Sequence, residues 1–128
     1  SLISIDKNEL EFSGSKHKIW HYSKSAETLV EYKTDSHIIG NNTPHQFQTK
    51  KIELIKGDVI FLSSDGFPDQ FGKNNQGKYK YQQFRQLLEK CSSIDFSQIP
   101  QILDAELESW RGETEQTDDI LVIGIKIS

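Results

Sequence analysis

Residues 57–72, GDVIFLSSDGFPDQFG, constrain the chain most. Val59, Ile60, Phe61 and Leu62 are consecutive and all apolar, so a strand built from them has no wet face. Such a strand must be covered on both sides and lie centrally in its sheet. Two serines follow, and then Asp65-Gly66, where the strand has to turn. A buried strand holds its end rigidly, and glycine tolerates a sharp bend, so the Asp65 carboxylate is expected to project into a cleft. Asp65 is the first candidate metal ligand, and Asp118, near the C-terminus, is its expected partner.

Composition narrows the classes of function. A chain of 128 residues amounts to one domain. Its formal net charge is −4, and lysines and arginines are scattered rather than blocked, which argues against a nucleic-acid partner. The single cysteine, Cys91, forms neither an internal disulfide nor a zinc motif, as in a reducing, cytoplasmic setting. No apolar run approaches the roughly 18 residues of a membrane span, and no signal peptide is evident. The sequence opens without methionine and enters a strand pattern at once, so we expect further chain upstream.

Alternation marks most of the remaining strands. Leu2, Ile3 and Ile5, a turn at Asp6-Lys7-Asn8, and then Leu10 and Phe12 predict a hairpin. The aromatic-rich run 17–22 and the run 28–32 continue it as an antiparallel meander, before a loop over 35–44 and a strand within 47–54. Residues 67–76 read as loop. Phe84, Leu87, Leu88 and Cys91 then recur at helical spacing. A second helix follows, with Ser97 as its expected N-cap, Pro100 in the first turn, Ile99, Ile102, Leu103, Leu107 and Trp110 inward, and Gly112 as its stop. Residues 120–127 predict a second central strand, preceded by Asp118-Asp119. Strands, two helices and a final strand make an α+β fold, with the helices gathered on one side of a largely antiparallel sheet.

If the two central strands are antiparallel neighbours, Asp65 and Asp118 meet at the same end. Carboxylates without cysteine or clustered histidine favour a hard cation, Mg2+ or Mn2+, which can acidify water and neutralise phosphoryl charge. The plainer reading stands beside this one, since Asp-Gly is common in turns and Asp before a strand often only caps it. His17, His21, His37 and His45 show no ligand spacing and read as surface residues. Asp58 reads as a turn residue, Asp69 as a loop cap or a support, and Ser63 and Ser64 lack the context of a nucleophile. Trp110 reads as a core anchor and Cys91 as a buried helix residue.

The blocks LEFSGSKHKIWHY, DSHIIG, GDVIFLSSDGFPDQFG, KYKYQQFRQLL, WRG and EQTDDILVIGIKI, in this order, carry a specific resemblance. The chain resembles the C-terminal part of the bacterial stage II sporulation protein E-type serine/threonine phosphatases, in the metal-dependent protein phosphatase 2C superfamily. Ser36 and Asn41 depart from the usual form of one loop, away from the candidate ligands. The resemblance implies an antiparallel β-sandwich flanked by helices, with a two-metal site (Mn2+ or Mg2+) at one end. It further implies that metal-activated water attacks phosphoserine or phosphothreonine without a covalent enzyme intermediate.

By that resemblance Asp65 and Asp118 match the family's catalytic metal ligands, and Asp119 joins the metal site by supporting the strand. The family's earlier Asp-Gly motif, whose Asp bridges both ions, has no counterpart in this sequence. The expectation is therefore a domain whose N-terminal part is missing, with residues 1–128 as its C-terminal portion, inactive alone and binding metal weakly. Uncovered apolar surface would favour a homodimer. The implied partners are an upstream sensor domain and a phosphorylated regulatory protein such as an anti-sigma-factor antagonist. A non-catalytic interaction module is the rival reading. A haloacid-dehalogenase-like phosphohydrolase is disfavoured, because Phe67 stands where that chemistry needs a second Asp.

Overall fold

A computed structural model of the chain describes residues 2–6, 8–13, 18–33 and 50–128. Seven strands are described: β1 (Leu2–Asp6), β2 (Glu9–Ser13), β3 (Lys18–Ser23), β4 (Thr28–Lys33), β5 (Lys50–Glu53), β6 (Val59–Ser63) and β7 (Val122–Lys126). Three helices, α1 (Gly66–Asp69), α2 (Tyr81–Ser92) and α3 (Ile99–Arg111), lie between β6 and β7. His17, His37, His45 and the loop expected over 35–44 lie outside the described residues.

The strands form two sheets, ordered β1-β2-β5 and β4-β3-β6-β7, and every pair is antiparallel. The predicted hairpin is β1–β2, but the single meander is not found: β3 leaves the first sheet and pairs with β4 and β6 in the second. Period-2 alternation tells which residues share a face, not which sheet a strand joins. Leu10, Phe12 and Ile52 of one sheet pack against Ile19, Ile60 and Ile127 of the other. The opposite face of the second sheet presents Trp20, Tyr22, Val59 and Phe61 to the helices, which return Phe84, Leu87, Leu88, Cys91, Ile99 and Leu103.

Strand β6 is covered on both faces, as its apolar run requires. Val59, Ile60 and Phe61 are 3%, 0% and 0% exposed. Burial at this level contributes about 1.5–3 kcal/mol for each large side chain. Strand β7, expected to be central, instead forms the edge of the described sheet, with Ile123 44% exposed and Leu121, just before the strand, 59% exposed. Ile5, Val30 and Ile123 stand opposite Leu10, His21 and Leu62 in register, so all three belong to the faces between the sheets. Their exposure shows that the two described sheets cover each other only in part.

Helix α2 buries the expected stripe of Phe84, Leu87, Leu88 and Cys91. Lys80, just before it, adopts φ +78° and ψ 152°, a region normally reserved for glycine. Lys80→Gly is expected to stabilise the protein by about 1 kcal/mol, the balance of roughly 1–3 kcal/mol of relieved strain against about 0.5–1 kcal/mol of glycine entropy. A thermal midpoint that stays level or falls would show that no such strain is stored.

At α3 the expected cap is displaced. A 3-10 turn, Phe96–Gln98, precedes the helix and is capped by the Asp95 carboxylate, which accepts the Ser97 amide at 3.2 Å; the N-cap of α3 itself is Gln98, not Ser97, and its side chain makes no capping bond. Pro100 sits in the first turn, and Gly112 ends the helix at φ +56°. Residues 67–76 are not a plain loop either: they contain most of α1 and a second 3-10 turn, Lys73–Asn75, with Phe67 buried in the core.

His21 is buried, not at the surface. It faces the other sheet, and its Nε2 lies 2.8 Å from Asp58 Oδ2. Asp58 also accepts the amides of Lys24 at 2.9 Å and Ile55 at 3.0 Å, which fixes the turn into β6. Burial works to raise the Asp58 pKa, but these hydrogen bonds and His21 outweigh it and hold the carboxyl below its ordinary range.

Candidate metal centre

The register of β6 with β7 ends at Ser63↔Val122, so the Asp65 turn and the Asp118-Asp119 turn lie at the same end of the sheet. Ser64 then clamps them. Its amide donates to Leu121 O at 2.9 Å, its hydroxyl donates to Asp119 O at 2.9 Å, and the same hydroxyl oxygen accepts the Leu121 amide at 3.0 Å. That hydroxyl donates to one backbone group and accepts from another, so it is engaged in holding the two turns together. No local pattern announces its role, because its partners are 55 and 57 residues away.

Gly66 has a different reason from the expected bend. A Cβ there would stand 2.2 Å from Asp119 O and 2.8 Å from Ile120 Cγ1. The absence of a side chain lets the two turns touch. Asp65 is the N-cap residue of α1, yet its side chain makes no capping bond; its carbonyl accepts the Asp69 amide at 2.9 Å. The carboxylate instead accepts the Tyr81 hydroxyl at Oδ1, 2.6 Å away. Burial, and then the bond to Asp65, push the Tyr81 pKa well up, so the phenol remains a donor.

Asp118 Oδ1 accepts the Asp119 amide at 2.8 Å, which fixes the local turn, and Gln116 Nε2 donates to Asp118 O at 3.0 Å. The approach to this turn is held by Gln70, a buried polar residue that the sequence did not single out. Its Nε2 donates to Phe71 O and to Glu115 O, and its backbone carbonyl accepts Trp110 Nε1 at 2.9 Å. Trp110 is thus partly buried and hydrogen-bonded, an anchor with a polar handle. Asp69 lies 3.7 Å from Lys78 Nζ, in a surface pair worth little.

Asp65, Asp118 and Asp119 are all solvent-exposed, and among the described residues none of the three is ion-paired with a lysine or arginine. Their oxygens are the donor type that Mn2+ and Mg2+ accept. Among the described residues no group of three His, Cys, Asp or Glu side chains converges to hold a metal. The donor chemistry therefore fits a hard cation.

The two-sheet sandwich with helices on one face, and acidic turns meeting at the end of β6 and β7, makes up part of a protein phosphatase 2C-like fold. The family profile "Stage II sporulation protein E (SpoIIE)" matches residues 1–128, and the chain belongs to that family. In fold it is similar to the SiaA-PP2C domain of Pseudomonas aeruginosa, with a TM-score of 0.81 at 24% identity, covering 94% of this chain and 47% of that one. It is likewise similar to the manganese-presoaked phosphatase domain of SpoIIE from Bacillus subtilis (TM-score 0.63, 18% identity, 98% and 55% covered). A third likeness is to the catalytic domain of the serine/threonine protein phosphatase PstP in complex with two manganese ions (TM-score 0.59, 16% identity, 98% and 57% covered). The chain spans about half the length of these structures. No curated protein sequence matches it. Among the described residues no helix is long and apolar enough to cross a membrane.

Proposed function

We propose that residues 1–128 are the C-terminal half of a metal-dependent protein serine/threonine phosphatase domain in a bacterial signalling protein. The observation that carries this reading is the meeting of the Asp65 and Asp118-Asp119 turns, packed so closely that Gly66 has no room for a Cβ. On this reading Asp65 and Asp118 hold Mn2+ or Mg2+. Asp119 supports them through its carbonyl, which Ser64 and Gly66 fix. When bound, the metal supplies charge neutralisation at the phosphoryl group and a lowered pKa for water. The chain's own residues orient two carboxylates at an open sheet end, where a phosphorylated side chain can approach. The remaining ligands come from the other half of the domain, and the substrate is a phosphorylated regulatory protein such as an anti-sigma-factor antagonist.

The lack of a third converging ligand among the described residues is also what a non-catalytic module of the same fold would show. Phosphate release by the full-length protein separates the two. Stripped of metal and given a phosphoserine or phosphothreonine peptide, it should release phosphate on addition of Mn2+ and stop in excess chelator. Release that continues in chelator would defeat the metal-dependent reading, and no release with any such peptide would favour the module.

A further inference from the structure

We infer that Tyr81 is the positioning residue of this centre, fixing the Asp65 carboxylate through one oxygen and leaving the other for the cation. The inference rests on the metal assignment above and extends it to a residue outside the acidic turns.

Nothing in α1 orients the Asp65 side chain, which makes no cap bond and is exposed. Left to itself, such a carboxylate rotates among its rotamers, and a metal must then restrict that freedom on binding. The Tyr81 hydroxyl removes it beforehand through a short, charge-assisted hydrogen bond of 2.6 Å. The ring is held in turn. Trp20 stacks on it at 6.4 Å and 27°, and Lys18 Nζ sits 3.8 Å above its centroid. Lys18 is itself tethered to Glu31 at 3.0 Å.

The backbone is held as well. The Lys80 amide donates to Pro68 O at 2.7 Å, joining the start of α2 directly to α1. The strained φ of Lys80 lies next to Tyr81, where a constraint on geometry would be stored. Packing against Trp20 needs only an aromatic ring, which phenylalanine would supply; the hydroxyl is used by Asp65.

Tyr81→Phe in the full-length protein tests this. Outer partners of metal ligands typically matter by about 10–100-fold in affinity, and for an exposed site we expect Mn2+ binding by titration calorimetry to weaken about tenfold. Activity should largely recover at saturating Mn2+, with the KM for a phosphopeptide unchanged. A purely structural role would lower the thermal midpoint and leave Mn2+ affinity alone; unchanged affinity overturns the inference. Should Tyr81→Phe fail to fold, Lys18→Ala loosens the ring while keeping the hydroxyl. It should weaken Mn2+ binding by less, and no weakening overturns the inference equally. Asp65→Asn separates the two claims: undiminished Mn2+ binding in that variant defeats the metal assignment itself, whatever Tyr81→Phe does.

Discussion

Asp65→Asn in the full-length protein should lower Mn2+-dependent phosphate release by about 100-fold or more. A metal clamp supplies several kcal/mol of charge stabilisation at a phosphoryl group, and each ~1.4 kcal/mol lost is tenfold in rate. Asparagine has nearly the same shape but no charge, so it removes the electrostatic contribution while keeping an oxygen for the Tyr81 hydroxyl. The fold should survive, because Asp65 is exposed and its structural bond, to the Asp69 amide, comes from the backbone carbonyl. Surface changes away from packing usually stay within about 0.5 kcal/mol. Urea unfolding alongside the assay would therefore show a near wild-type midpoint with activity lost. Asp118→Asn should behave alike, with a somewhat lower midpoint, since Asp118 Oδ1 also fixes the Asp119 amide. Wild-type turnover in Asp65→Asn would end the ligand assignment.

What the sequence conveyed about this centre, and what it did not, follows from the range of each signal. The run Val59, Ile60, Phe61, Leu62 requires two covered faces whatever lies around it, and β6 has them. Helix α2 follows equally directly from a stripe at 3.6-residue spacing. Helix α1 has four residues, too few for any period to register, so Phe67 looked like loop although it is core. His21 carries no local sign of burial, because Asp58 is 37 residues away. Partners between 16 and 57 residues away likewise hid Ser64, Gln70 and Tyr81. The acidic turns themselves could be read, since an Asp-Gly after an apolar strand and an Asp-Asp before one need only an antiparallel pairing to meet. Gly66 shows a residue placed correctly for a different reason: contact with the Asp119 carbonyl, not a special bend, excludes a side chain there.

At the other end of β6, Asp58→Ala should cost about 3 kcal/mol or more, because breaking a buried pair strands its partners. Asp58 is 1% exposed and serves His21 and two amides, all of which would lose their acceptor. The pH dependence identifies the carboxylate as the source. Its pKa in the folded protein lies below the unfolded value, so its stabilisation is complete above about pH 4 and fades as the pH falls through the folded pKa. Denaturant midpoints of wild type and Asp58→Ala should thus differ by a constant amount from neutrality down to about pH 4 and converge below it. A gap that closed between pH 8 and 6 would contradict a role for the carboxylate's own titration. Asp58 fixes the entry to β6 and Asp65 follows its exit, so the variants should separate cleanly: Asp58→Ala loses stability but binds Mn2+ normally while folded, and Asp65→Asn does the reverse.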